Sequence, residues 1–146
     1  MRLSLLTFII LVPVFLFSQN EKRKIFITTP TYDAIIATYK KMAKENSICH
    51  LVDYGNTDAG KSLNLFVISR SKEFTAKDAR PKGKIIVMIN NGIHPGEPNG
   101  IDASIELSKR ILLNPALLPA NVILCIVPVF NIDGCLNRGS TSRANQ

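Results

Sequence analysis

Cysteine is scarce and badly spaced for metal or redox work: Cys49, Cys125 and Cys135 form no C-x-x-C pair. An odd number cannot all pair within the chain, so a complete disulfide framework is excluded, and nothing in the sequence favours joining Cys49 to Cys135. Cys125, set among apolar residues, reads as a plain core thiol. No apolar run reaches the roughly 20 residues that a membrane-spanning helix needs. The longest, Leu3 to Phe17, follows Arg2 and gives way to Ser18, Gln19 and Asn20. That order reads as a secretory signal over residues 1–19, cut near Ser18 or Gln19, although Leu16 matches an A-x-A-like site poorly and an anchor that stays attached is the alternative. Internal repeats and low-complexity tracts are absent. Acidic residues are in deficit, 11 against 18 basic ones, for a net charge of +7. The basic residues crowd into 70–84, RSKEFTAKDARPKGK, where interleaved acids and turn formers indicate a solvated loop and not a nucleic-acid groove.

What is present reads as one domain of the α/β class. Tyr32, Ile35, Ile36, Tyr39, Met42 and Ala43 recur at helical spacing, with Thr29 as the cap, Pro30 in the first turn and Asn46 closing the helix. CHLVDYG (49–55) and SLNLFVIS (62–69) read as strands, the second alternating Leu63, Leu65, Val67 against Asn64, Phe66, Ile68. Between them, GNTDAGKS (55–62) fits the phosphate-loop pattern G-x-x-x-x-G-K-[ST]. That pattern binds phosphate only where a helix leaves it, and here a strand follows Lys61. The stretch is therefore a hairpin loop, and no nucleotide is expected.

KIIVMIN (84–90) is a continuous apolar strand of the kind buried on both faces of a parallel sheet. A helix over Pro98 to Leu113 has Ile101, Ile105, Ile111 and Leu112 on one face, and Pro115 and Pro119 end it. NVILCIVPVF (121–130) completes a strand–helix–strand unit with a right-handed crossover. The expected fold is a mixed sheet: an N-terminal antiparallel hairpin joined to a parallel βαβ unit.

Ligands of open α/β sheets bind beyond the carboxyl ends of parallel strands. NNGIHPGE (90–97) and NIDGCLNRG (131–139) leave those ends, and share one crevice if the two strands are neighbours. His94 and Glu97 are separated by two residues on a turn that Pro95 and Gly96 can tighten. Catalytic zinc takes three protein ligands, His2Glu among them, and leaves a fourth position open. The plainer reading is that Glu97 favours a helix start and His94 caps backbone groups.

The series strand, G-I-H-P-G-E, helix, buried strand, N-I-D-G, then arginine resembles the N-terminal part of a zinc carboxypeptidase of the carboxypeptidase A-like family. The resemblance covers nearly all of residues 20–146 and implies part of a phosphorylase/hydrolase-like fold. It implies Zn2+ as the cofactor, with His94 and Glu97 as two of its ligands. It also implies a cleft floor shaped by Asn131, Ile132, Asp133 and Gly134, with Ile132 in place of the family's Pro. Arg143 corresponds to the arginine that receives the developing oxyanion, with Arg138 in reserve. The third ligand, a histidine far downstream, has no counterpart: His50 stands in an early strand. The Asn-Arg pair for a substrate carboxylate, the specificity pocket and the general-base glutamate also have no counterpart. The resemblance thus implies a fragment, the first third to half of a catalytic domain, without useful turnover. The whole enzyme would be secreted or periplasmic, would not stay in a membrane once its signal is removed, and would cleave C-terminal residues from peptides or proteins, or cell-wall peptides as in bacterial members of the family. Two readings compete: a zinc amidohydrolase of N-acyl amino acids, and a secreted, non-catalytic α/β binding module.

Overall fold

A computed structural model describes residues 30–137. The first helix, α1 (Tyr32–Glu45), begins two residues later than its sequence suggested, because Thr31 and not Thr29 is the cap: its hydroxyl oxygen accepts from the Ala34 amide at 3.3 Å. Thr29 lies outside the described residues. Asp33 in the first turn and Lys44 in the last complement the helix dipole. Asn46 closes the helix as expected, through its side-chain amide, which donates to the Met42 carbonyl at 2.9 Å.

β1 (Cys49–Asn56) and β2 (Ser62–Ile68) form the expected antiparallel hairpin. Thr57 N–H donates to the Lys61 carbonyl and Gly60 N–H to that of Thr57, so the GNTDAGK stretch closes on itself. Gly55 (φ 90°) and Gly60 (φ 69°) supply left-handed backbone that other residues adopt at a cost. Lys61 leaves the loop to pair with Asp33 at 2.8 Å.

A short helix α2 (Ala76–Ala79) and a 3-10 turn (Arg80–Lys82) lead into β3 (Ile85–Asn90). α3 (Asn99–Leu113), a second 3-10 turn (Pro115–Leu117), β4 (Val122–Val127) and α4 (Ile132–Leu136) complete the order. The sheet runs β1-β2-β4-β3. β3 and β4 are parallel neighbours, and β2 meets β4 antiparallel, so the sheet is mixed as expected.

Side-chain alternation divides the core between two faces. Phe66 and Ile68 of β2 and Leu124 and Ile126 of β4 pack against α1 and α3 with Tyr39, Ile35 and Ile101. Val67 and Ile123 turn the other way, to a smaller cluster with Ala79, Phe74 and the half-buried Cys125. Cys49 is buried against the end of α1, its thiol donating to the Met42 carbonyl; burial pushes it up to about 11, so it stays protonated.

β3 departs from the sequence reading. It is the sheet's edge, and Ile85 (54% exposed), Ile86 (51%), Val87 (43%) and Met88 (62%) are open where burial on both faces was expected. Ile86 and Met88 border an apolar groove of about 360 Å³ with Val52, Leu65 and Phe74. Such an exposed apolar edge is open to pairing and aggregation.

The basic loop is anchored by one buried acid. Glu73 is 2% exposed, its carboxylate accepts from the Ser69 hydroxyl while its N–H donates back to Ser69 Oγ, and it meets Lys82 at 2.8 Å and Lys84 at 3.8 Å. Lys82 chiefly, then Ser69, hold its carboxyl down at about 2 against an ordinary 4.5. A depressed acid stabilises the fold fully above its unfolded value and loses that contribution as pH falls through the folded one. Thermal unfolding followed from pH 6 to pH 2 should therefore show a falling melting temperature in the window from 4.5 to about 2, and Glu73→Gln should flatten that window. An unchanged slope in the variant assigns the acid sensitivity elsewhere.

Candidate metal centre at the carboxyl ends of β3 and β4

The parallel pairing of β3 with β4 runs to Asn90 opposite Val127 and then continues into both loops. Asn91 N–H donates to the Val127 carbonyl (3.1 Å), Phe130 N–H to that of Asn91 (2.8 Å), and Asn131 N–H to that of Gly92 (3.1 Å). The two loops therefore leave the sheet side by side, and the single crevice expected for neighbouring strands is formed. Gly92 makes the turn at φ 64°, where a Cβ would lie 3.2 Å from Val129 Cγ1.

Glu97 N–H donates to the His94 carbonyl at 2.9 Å, closing one tight turn with Pro95 and Gly96 in its corner. Pro95 is fully buried and Glu97 exposed. His94 is half-buried, and its Nδ1 is a buried atom without a hydrogen-bond partner. A buried imidazole nitrogen left unbonded costs on the order of 1–3 kcal/mol, so it marks a place where a partner is wanted.

The second loop is built against the first. Asn131 caps α4, its Oδ1 accepting from Gly134 N–H at 2.9 Å, while its Nδ2 donates to the Ile93 carbonyl at 3.4 Å. A Cβ on Gly134 would fall 3.0 Å from Pro95 Cγ, so the N-I-D-G segment lies close against the H-P-G-E turn and leaves little room for a larger side chain. Ile132 is 2% exposed and belongs to the main core. Asp133 is exposed.

His50 does not join them. It stands on β1, the opposite edge of the sheet, where it pairs with Val67 of β2, and its ring lies 5.6 Å from Phe74. Among the described residues no group of three or more His, Cys, Asp or Glu side chains could hold a metal. Arg138 and Arg143 lie outside the described residues.

A set of site-supporting residues escaped the sequence reading. Asn91 Nδ2 donates to Ser104 Oγ (2.7 Å), which also meets Tyr39 OH (2.9 Å) and the Ile101 carbonyl (3.0 Å). All three side chains are buried. Their signal was available: Ser104 and Ser108 interrupt the apolar stripe of α3 at helical spacing, where buried hydroxyls need partners.

Fold and site together define an α/β domain that presents an imidazole and a carboxylate on one turn at the mouth of a parallel strand pair. The chain belongs to the zinc carboxypeptidase family, whose model matches residues 35–145. No curated protein sequence matches it significantly. Among solved structures it is similar to carboxypeptidase A from Helicoverpa armigera, with TM-score 0.62, 22% identity, and 75% of this chain and 26% of that chain covered. It is similar to bovine thrombin-activatable fibrinolysis inhibitor in complex with tick carboxypeptidase inhibitor (TM-score 0.63, 15% identity, 79% of this chain and 35% of that one). It is also similar to a metallo-carboxypeptidase from Burkholderia cenocepacia (TM-score 0.56, 19% identity, 73% and 28%). The chain spans about a quarter to a third of the length of these structures. Among the described residues no helix is long and apolar enough to cross a membrane.

Proposed function

We propose that residues 20–146 contribute two zinc ligands, His94 and Glu97, to a metallocarboxypeptidase centre that hydrolyses peptide bonds at or near the C-terminus of peptides or proteins. One observation carries the reading: a buried, unpartnered imidazole nitrogen three residues before a carboxylate, on a turn fixed at the carboxyl end of a parallel strand. Soft-to-borderline nitrogen and hard carboxylate oxygen are a donor set that suits zinc. Zinc bound there would polarise a scissile carbonyl and lower the pKa of water towards about 7.

The chain's own residues prepare the place. The His94–Glu97 turn holds both donors close in sequence on one rigid corner, and Asn131 with Gly134 seats the second loop beneath it. Arg143, with Arg138 as the alternative, is the guanidinium expected to donate to the developing oxyanion, a role that needs no proton transfer. Residues 1–19 act as the secretion signal in this reading. Family resemblance calls for a third ligand histidine and a general-base glutamate for which this sequence has no counterpart, so the 146-residue chain alone is expected to bind zinc weakly and turn over no peptide.

Titration calorimetry with zinc on the 146-residue chain tests this. His94→Ala is expected to weaken zinc binding about tenfold or more, and Glu97→Gln to act in the same direction. Equal affinity in the parent and a His94→Ala/Glu97→Gln double variant overturns the metal site and favours the non-catalytic binding module.

A further inference from the structure

We propose that Asn91 is a positioning residue for the His94–Glu97 turn, held by a buried hydrogen-bond chain from Tyr39 through Ser104; its relevance to zinc rests on the reading above. Three elements converge on this one side chain and its backbone. Its N–H and carbonyl bond to Val127 and Phe130, on either side of the turn out of β4. Its Nδ2 reaches Ser104 on α3, and its Oδ1 lies where a Cβ at Gly100 would come within 3.2 Å. Through Ser104 it is joined to Tyr39 on α1.

Donor counting fixes the direction of the chain. The single Ser104 hydroxyl proton goes to the Ile101 carbonyl, so Ser104 Oγ receives from both Tyr39 and Asn91. Burial pushes the Tyr39 phenol up to about 12, so it remains a donor at any ordinary pH. Every polar atom of the chain on the Ser104 side is thus satisfied, and such complete networks rigidify what they touch. What they touch here is the backbone three residues before His94, the stretch from which both site loops take their mutual register. Groups behind metal ligands typically change metal affinity by about 10–100-fold when removed.

Asn91→Ala and Ser104→Ala in the 146-residue chain, with Val67→Ala as a control that loosens the smaller core on the other face of the sheet, provide the test. Amide exchange at Phe130 and Asn131 should quicken about tenfold in each of the first two variants and not in the control. The His94 ring resonances should shift in the same two, and zinc affinity should fall about tenfold. The Asn91→Ala/Ser104→Ala pair should add little to either single change, because both break one link. If exchange at those amides and the His94 resonances stay as in the parent, or Val67→Ala moves them equally, the proposal is overturned. Should the parent bind no zinc while the exchange and resonance changes appear, the clamp stands and the zinc reading falls.

Discussion

Phe66→Ala is expected to cost about 3–5 kcal/mol, enough to leave a domain of ordinary stability largely unfolded at 37 °C. Phe66 is wholly buried in β2, paired to Leu51 on one side and Ile126 on the other. Its ring lies 4.8 Å from that of Tyr39, tilted 55°, a geometry in which aromatic edges meet faces favourably. Truncation removes the ring from the one layer that joins the hairpin, β4 and α1, and the backbone on either side is held by ladder bonds that prevent collapse into the space. Leu113→Ala, at a side chain 87% exposed at the end of α3, should change stability by less than about 0.5 kcal/mol. Urea unfolding of the three proteins decides the matter. A Phe66→Ala loss below about 1 kcal/mol would mean that the hairpin and α1 are not joined through this layer.

The contrast between these two residues shows what the sequence could tell. Alternation in SLNLFVI places Phe66 with Asn64 and Ile68, and the three share the buried face against α1 and α3. Helical spacing identified all five buried residues of α1 because a 3.6-residue period leaves little freedom in which face turns inward. The hairpin was equally legible, since glycines at 55 and 60 and a strand after Lys61 permit few other backbones. β3 was not. KIIVMIN says that the strand is apolar on both faces, but nothing local says what covers it, and in this structure its outer side is open. The cap was misplaced for a smaller reason: Thr29 and Thr31 are chemically alike, and geometry alone chose the second.

The site was legible as a pair of loops and only partly as a mechanism. Strand order placed H-P-G-E beside N-I-D-G, which the register of β3 with β4 bears out. Which residues stiffen that junction was hidden, because Asn91, Ser104 and Tyr39 stand far apart in sequence and meet only when α1 and α3 pack together. Ile132 is instructive in the same way. Where the resemblance expects a proline, this chain has a side chain buried in the core, so the loop is held by packing as well as by the Asn131 cap.

Gly134→Val should be the most damaging change at the site itself, at about 3 kcal/mol, the upper part of the range for forcing volume into a packed place. Backbone strain plays no part, since Gly134 lies within α4 and has no positive φ. The obstacle is what a Cβ would meet: Pro95 Cγ, Asn131 Oδ1 and Asn131 Nδ2, each at 3.0 Å. A proline ring cannot rotate away, and the Asn131 amide is pinned by Gly134 N–H on one side and the Ile93 carbonyl on the other. Alanine would recover up to about 1 kcal/mol through helix propensity and so should cost less, whereas valine adds two methyl groups and recovers little. Relief in the valine variant has to come from parting the two loops, which moves Pro95 and with it the His94–Glu97 turn. Zinc affinity should therefore fall further than the stability loss alone explains, while exchange in the β1–β2 ladder stays slow. A Gly134→Val chain as stable as its parent would show that these two loops do not touch, and the proposed metal centre would lose its floor.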